Sequence, residues 1–154
     1  MRSDRVDERY LEDIAVGQSY RSMTINVDRD GMIDFAAEFD PQPFHVDAEA
    51  ARTSFFGELV ASGWYTAALT MRLLVESDFK PAGGLIGAGF DEFSFPRPVT
   101  AGDDLYLEAE VLDVRESKSR PQQGIVKARI TTKNQRDEPV LVYVVNLIVQ
   151  RRPA

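Results

Sequence analysis

A nine-residue stretch, FDPQPFHVD, holds the chain's only histidine, His45, five residues after the carboxylate of Asp40. A carboxylate with an ordinary pKa near ~3.9 and an imidazole near ~6.5 span proton-acceptor and proton-donor roles at neutral pH. Pro41 and Pro43 stand between them. Each proline fixes φ near about −65°, so the turn is stiff. A stiff turn suits two side chains that must converge on one small target such as a water. It suits a plain helix–helix connection as well. On that plainer reading Asp40-Pro41 only stops a helix, and His45 only hydrogen-bonds a backbone carbonyl. Two features favour chemistry. His45 lies off any apolar helical stripe, and no other histidine is present to act as a base near neutral pH.

The elements that must position this turn follow from spacing. Gln18–Val27 reads as a first strand. Asp28 is placed to cap a helix, and Met32, Phe35, Ala36 and Phe39 follow at the spacing of an amphipathic face. The residue before a proline is pushed out of the α region, so the helix ends at Asp40. Asp47 then caps a short second helix through about Thr53, with Glu49 at the favourable end of its dipole. FFGELVASG reads as a loop. Trp64, Ala67, Ala68, Met71 and Val75 form the stripe of a longer helix, and Leu69 and Leu73 make its opposite side apolar too. A helix apolar on most sides is expected inside the core.

The C-terminal half switches to period two. Leu105, Leu107, Ala109 and Val111 alternate with Tyr106, Glu108, Glu110 and Leu112. Strands are expected over Leu85–Phe95, Asp104–Arg115, Gly124–Lys133 and Val140–Gln150, with hairpin turns at SKSRPQQG and NQRDEP. The last, VLVYVVNLIV, is apolar on both faces and belongs inside the sheet. One strand, then helices, then a run of antiparallel strands is an α+β pattern. It suggests an antiparallel sheet wrapped around a long central helix, a hot-dog fold.

Composition narrows the partners. The 154 residues suggest one domain, 1–154. The formal net charge of −7 disfavours nucleic acid, whose phosphates an acidic surface repels. No cysteine is present, which excludes disulfides, thiolate nucleophiles and Cys-based zinc sites. With a single histidine as well, no metal site is expected. The charged N-terminus MRSDRVDERY lacks the apolar core of a signal peptide, and no apolar run reaches the ~20 residues of a membrane span. No membrane partner and a cytoplasmic location are the default expectations.

FAAEFDPQPFHVD resembles the hydratase signature of the MaoC-like dehydratases, the (R)-specific enoyl-CoA hydratase family, whose pattern is Asp-x-Asn-Pro-x-His. Here it reads Asp40-Pro41-Gln42-Pro43-Phe44-His45. The resemblance continues through FFGELVASGWYTAALTMRLL and FSFPRPVTAGDDL, and it covers about Val16 to Gln150. It implies a hot-dog fold and reversible syn addition of water to a trans-2-enoyl thioester. The family's catalytic aspartate carries over onto Asp40 and its catalytic histidine onto His45. The thioester oxygen gains negative charge in the transition state. Free N–H groups and the dipole meet at a helix N-terminus, so Ser62-Gly63, just before the long helix, is a natural substrate-binding pair. The family's oxyanion role carries over onto Gly63. Ser62 on the plainer reading is only an N-cap, and both can hold at once.

The resemblance further implies an acyl-CoA or other acyl thioester substrate, with coenzyme A as part of the substrate and no separate cofactor. A homodimer or higher homo-oligomer follows from the way such domains usually pair. Two positions depart from the pattern. Gln42 replaces the asparagine, and Ser62 stands where many members have histidine.

Other signals are weaker. GGLIGAG at Gly83–Gly89 enters a strand rather than opening a helix, so it is no dinucleotide fingerprint. Arg97, between two prolines, is placed to meet a coenzyme A phosphate or, more plainly, to sit on the surface or at a subunit interface. Two rival functions share the thioester site: a hot-dog thioesterase, and a non-catalytic acyl-thioester-binding subunit.

Overall fold

A computed structural model describes residues 8–154. Most of the charged N-terminal stretch considered above lies outside them. Four of the strands form where period two predicts them: β3 (Ile86–Ser94), β4 (Asp104–Glu116), β5 (Gln123–Lys133) and β6 (Pro139–Gln150). With β1 (Ser19–Arg21) and β2 (Ile25–Asn26) they make a six-stranded antiparallel sheet. The order is β1-β4-β5-β6-β3, with β2 also on β4. The doubly apolar β6 is interior, between β5 and β3. On β4, Leu105, Leu107, Ala109 and Val111 are all buried, as their alternation requires.

The first strand is broken into two pieces. Ser22 sits at the break. Its amide donates to the Leu107 carbonyl at 2.9 Å, and its hydroxyl accepts from the Leu107 amide at 2.8 Å. A side-chain oxygen has taken the place of a backbone carbonyl in the ladder. Serine competes with the backbone in this way, so pairing stops for three residues.

α1 (Arg29–Phe39) starts where Asp28 accepts from the Gly31 amide at 2.9 Å, and its C-cap is Asp40. The proline turn then forms one extra helical turn, α2 (Pro43–Val46), with Pro43 in its first turn. Proline's missing N–H is harmless there. Asp47 caps α3 (Ala48–Ala51), accepting from the Glu49 amide at 3.0 Å. That helix ends two residues before the predicted Thr53.

The largest departure concerns α4 (Gly63–Glu76). Its buried residues are Thr66, Thr70, Leu73 and Leu74. Trp64, Met71 and Val75, expected in the core, are 62%, 43% and 47% exposed. The sheet covers one side of the helix only, so a helix apolar nearly all round keeps its second apolar side outward. Thr70 is tolerated at the covered face because its hydroxyl and that of Thr132 on β5 satisfy each other at 2.7 Å. The core between sheet and helices is continuous, and this is the α+β hot-dog arrangement.

Candidate active site

Asp40 is delivered by the end of α1, and His45 by α2 on the far side of the prolines. The two side chains meet, with His45 Nε2 3.2 Å from Asp40 Oδ2. The other ring nitrogen, Nδ1, lies 2.7 Å from the Val60 carbonyl. A carbonyl only accepts, so Nδ1 carries a proton and the tautomer is set. In a neutral ring Nε2 then presents a lone pair to a carboxylate oxygen. Two acceptors face each other across 3.2 Å. Such a pair holds either one shared proton or a water that donates to both. His45 is 6% exposed.

Asp40 is held on both oxygens. Gln42 Nε2 donates to Oδ1 at 2.6 Å, and Ser62 Oγ donates to Oδ2 at 2.7 Å. Burial alone pushes the carboxyl pKa up. The Ser62 hydroxyl, the Gln42 amide and then the His45 ring together outweigh it, and the net shift is downward. Asp40 is therefore a carboxylate at neutral pH.

Ser62, fully buried, has two partners. It donates to Asp40 and accepts from the Trp64 amide at 3.2 Å, which makes it the N-cap of α4. Ser62 thus fills the cap role of its plainer reading, and its hydroxyl turns to Asp40. Gln42, one of the two departures from the pattern, keeps its amide on the carboxylate. That partnership has a sequence signal, an amide two residues after the aspartate inside a stiff turn.

Gly63 is the first residue of α4, and its amide finds no acceptor among the described residues. A Cβ there would stand 2.8 Å from Phe95 Cζ, so a larger residue would have to push that ring aside. Asp40, His45 and Gly63 line one cleft of about 530 Å³. Its other walls are mostly apolar and include Phe56, Trp64, Phe95 and Val140. The residues 59–62 close the arrangement. The Val60 amide bonds the Phe44 carbonyl at 3.1 Å, and the Ala61 amide bonds the Val99 carbonyl at 2.8 Å. This loop thus fastens the Asp40–His45 turn to the segment after β3. A carboxylate–imidazole pair beside a helix N-terminus in a mostly apolar cleft suits proton transfer next to a polarised carbonyl.

No cluster of three or more His, Cys, Asp or Glu suited to a metal ion occurs among the described residues. No helix among them is long and apolar enough to cross a membrane.

Comparisons with known proteins identify the family. A family model described as "MaoC like domain" matches residues 13–134, and the chain belongs to that family. The crystal structure of a MaoC-like dehydratase from Rhodospirillum rubrum superposes with a TM-score of 0.91 at 51% identity, covering 95% of this chain and 99% of that one. The unliganded R-hydratase PhaJ1 from Pseudomonas aeruginosa gives 0.71 at 28% identity, covering 93% and 86%. The mesaconyl-CoA hydratase of Haloarcula marismortui is 35% identical over 73% of this chain, which spans only 31% of that longer protein. Membership supports hydratase or dehydratase chemistry at the level of the family, a hydro-lyase in broad class.

Proposed function

We propose that the protein is an (R)-specific enoyl-CoA hydratase, or in reverse a 3-hydroxyacyl-CoA dehydratase. The observation that carries this reading is the pairing of Asp40 and His45 at 3.2 Å in a cleft shared with the free Gly63 amide. A water donating to both His45 Nε2 and Asp40 Oδ2 turns its lone pair outward, toward C3 of a trans-2-enoyl thioester. The C3–O bond forms as one member of the pair takes a proton from the water. A proton from the pair reaches C2 on the same face. The pair ends with the protons it began with, and the product carries one added water. The electron pair pushed toward the thioester oxygen meets the Gly63 N–H, a donor aimed where charge develops. The names of two relatives, an R-hydratase and a mesaconyl-CoA hydratase, support the same chemistry.

The working unit in this reading is a homodimer or larger. All nine residues of the edge strand β3 are exposed, among them Ile86, Phe90 and Phe93. Together with the outward side of α4 they form the kind of apolar face that marks an interaction site.

Hydration of a short trans-2-enoyl-CoA, followed by loss of enoyl absorbance, tests the function. Asp40→Asn and His45→Gln are each expected to lose at least ~100-fold in rate, the low end for general acid–base catalysis. Near-normal rates in both variants would remove the catalytic assignment. Release of free thiol instead would identify a thioesterase, and no turnover of any acyl thioester would leave a binding subunit.

A further inference from the structure

Two threonines lie on the covered side of α4, Thr66 and Thr70. Thr70 has its partner on β5. The Thr66 hydroxyl has none among the described residues, although Thr66 is only 2% exposed. A helical threonine can return its hydroxyl to the carbonyl four residues back. Here that carbonyl belongs to Ser62, and it already accepts from the amides of Tyr65 at 2.9 Å and Thr66 at 3.1 Å. Both of its lone pairs are taken. Among the described residues no fully buried side-chain oxygen lacks a partner, so the Thr66 hydroxyl keeps some open surface. The cleft supplies it, since Thr66 is part of the cleft wall. Of the buried residues in that wall, only His45 and Thr66 have polar side chains, and His45 belongs to the reacting pair.

The helix sets the distance from Thr66 to the site. Gly63 and Thr66 are three residues apart in α4, so they are neighbours on its surface, about 5–6 Å between Cβ positions. Helical side chains lean toward the N-terminus, so the Thr66 hydroxyl leans toward Gly63. In a thioester whose carbonyl oxygen meets the Gly63 N–H, C2 and C3 are the reacting carbons. C4 is the first carbon free to carry another group. Three bonds from C1 to C4 span about 3.8 Å, and one more bond to a substituent adds about 1.5 Å. Such a substituent reaches the spacing set by the helix. A hydrocarbon there would strip water from the Thr66 hydroxyl and return no hydrogen bond. An oxygen would accept that hydrogen bond. An uncharged one suits the place, because the ionised Asp40 in the same cleft repels a second anion. We propose that Thr66 selects an acyl chain carrying an uncharged oxygen on C4.

This selectivity rests on the hydratase reading for the reaction at C2 and C3. The rate test uses two esters that differ in one group. One is 4-hydroxy-trans-2-pentenoyl-CoA, and 4-methyl-trans-2-pentenoyl-CoA has a methyl in place of the hydroxyl. The wild type should show the higher kcat/KM on the hydroxy ester. Thr66→Val keeps the shape and removes the hydroxyl, and it should lower that preference at least ~10-fold, the loss of one buried hydrogen bond. Thr66→Ser keeps a hydroxyl and should keep the preference. A wild type that favours the methyl ester overturns the proposal, whether or not the variants fold. So does a preference that Thr66→Val leaves unchanged, since an equal loss on both esters is a loss of fold or of catalysis. A binding test needs no turnover. It sets 4-methoxybutanoyl-CoA against hexanoyl-CoA, which has a methylene in place of the oxygen, and neither has a double bond to hydrate. If the wild type hydrates no enoyl ester, the hydratase reading fails. Tighter binding of the methoxy ester, lost in Thr66→Val, still upholds the role of Thr66, and equal binding of the two overturns it.

Discussion

At the scale of the residue, Asp40 is organised as an ionised acceptor and His45 as a ring of fixed tautomer. His45 meets the plainer of the two readings that its sequence context offers. It does hydrogen-bond a backbone carbonyl, that of Val60, and this bond is what points Nε2 at Asp40. The lowered pKa of Asp40 has a consequence for pH. Its ionised form adds stability that is fully present above the ordinary carboxylate value near ~3.9, and that stability is lost as pH falls through the lowered folded value. Ser62→Ala removes one of the two neutral donors and the cap of α4. The Asp40 pKa should then rise, seen by NMR titration of its carboxyl carbon, and the fold should lose about 1 kcal/mol in denaturant unfolding. An unchanged Asp40 titration in that variant would show that the Ser62 hydroxyl does not hold the carboxylate in solution.

At the scale of the element, two short contacts tie α4 into the site. The first is Phe95 against Gly63. Gly63→Ala is expected to lower hydration at least ~10-fold, because the new methyl must displace the ring beside the oxyanion donor. Adding Phe95→Leu should recover part of that loss. If the double variant is as slow as the single one, the ring is not the obstacle. The second contact is the Thr70–Thr132 bond between α4 and β5. Thr70→Val leaves a buried hydroxyl on β5 without its partner, which costs about 1–3 kcal/mol. Thr70→Val with Thr132→Val removes both and should be closer to wild type, by chemical unfolding of all four members of the cycle. The starts of α1, α3 and α4 and the end of α1 were legible in the chain. Asp28, Asp47 and Ser62 are cap residues, and Asp40-Pro41 is a stop. The broken first strand was not, because the swap of a serine hydroxyl for a backbone carbonyl depends on where β4 lies.

At the scale of the whole molecule, the exposed apolar face spans α4 and β3. Trp64 packs on Phe93, with ring centroids 6.1 Å apart, and Phe93 on Phe95, at 5.2 Å. The cleft residues Trp64 and Phe95 thus continue into that face. Sedimentation at micromolar concentration should give a dimer or a larger closed assembly. Phe90→Glu, outside the cleft, should shift it to monomer with reduced hydration, since a charge in an apolar interface is desolvated without a partner. A wild-type monomer with full activity would refute this.

The sequence by itself determined the alternation that builds four long strands, the caps that start α1, α3 and α4, and the stiff turn that keeps Asp40 and His45 near each other. Those are local properties, set by periodicity, by side-chain oxygens next to helix ends, and by proline's ring. Only the tertiary structure decided which side of α4 is covered, that Ser62 faces Asp40, and that Phe95 closes on Gly63. Each depends on a contact between segments distant in the chain, and no pattern within either segment states which atoms of the other it will meet.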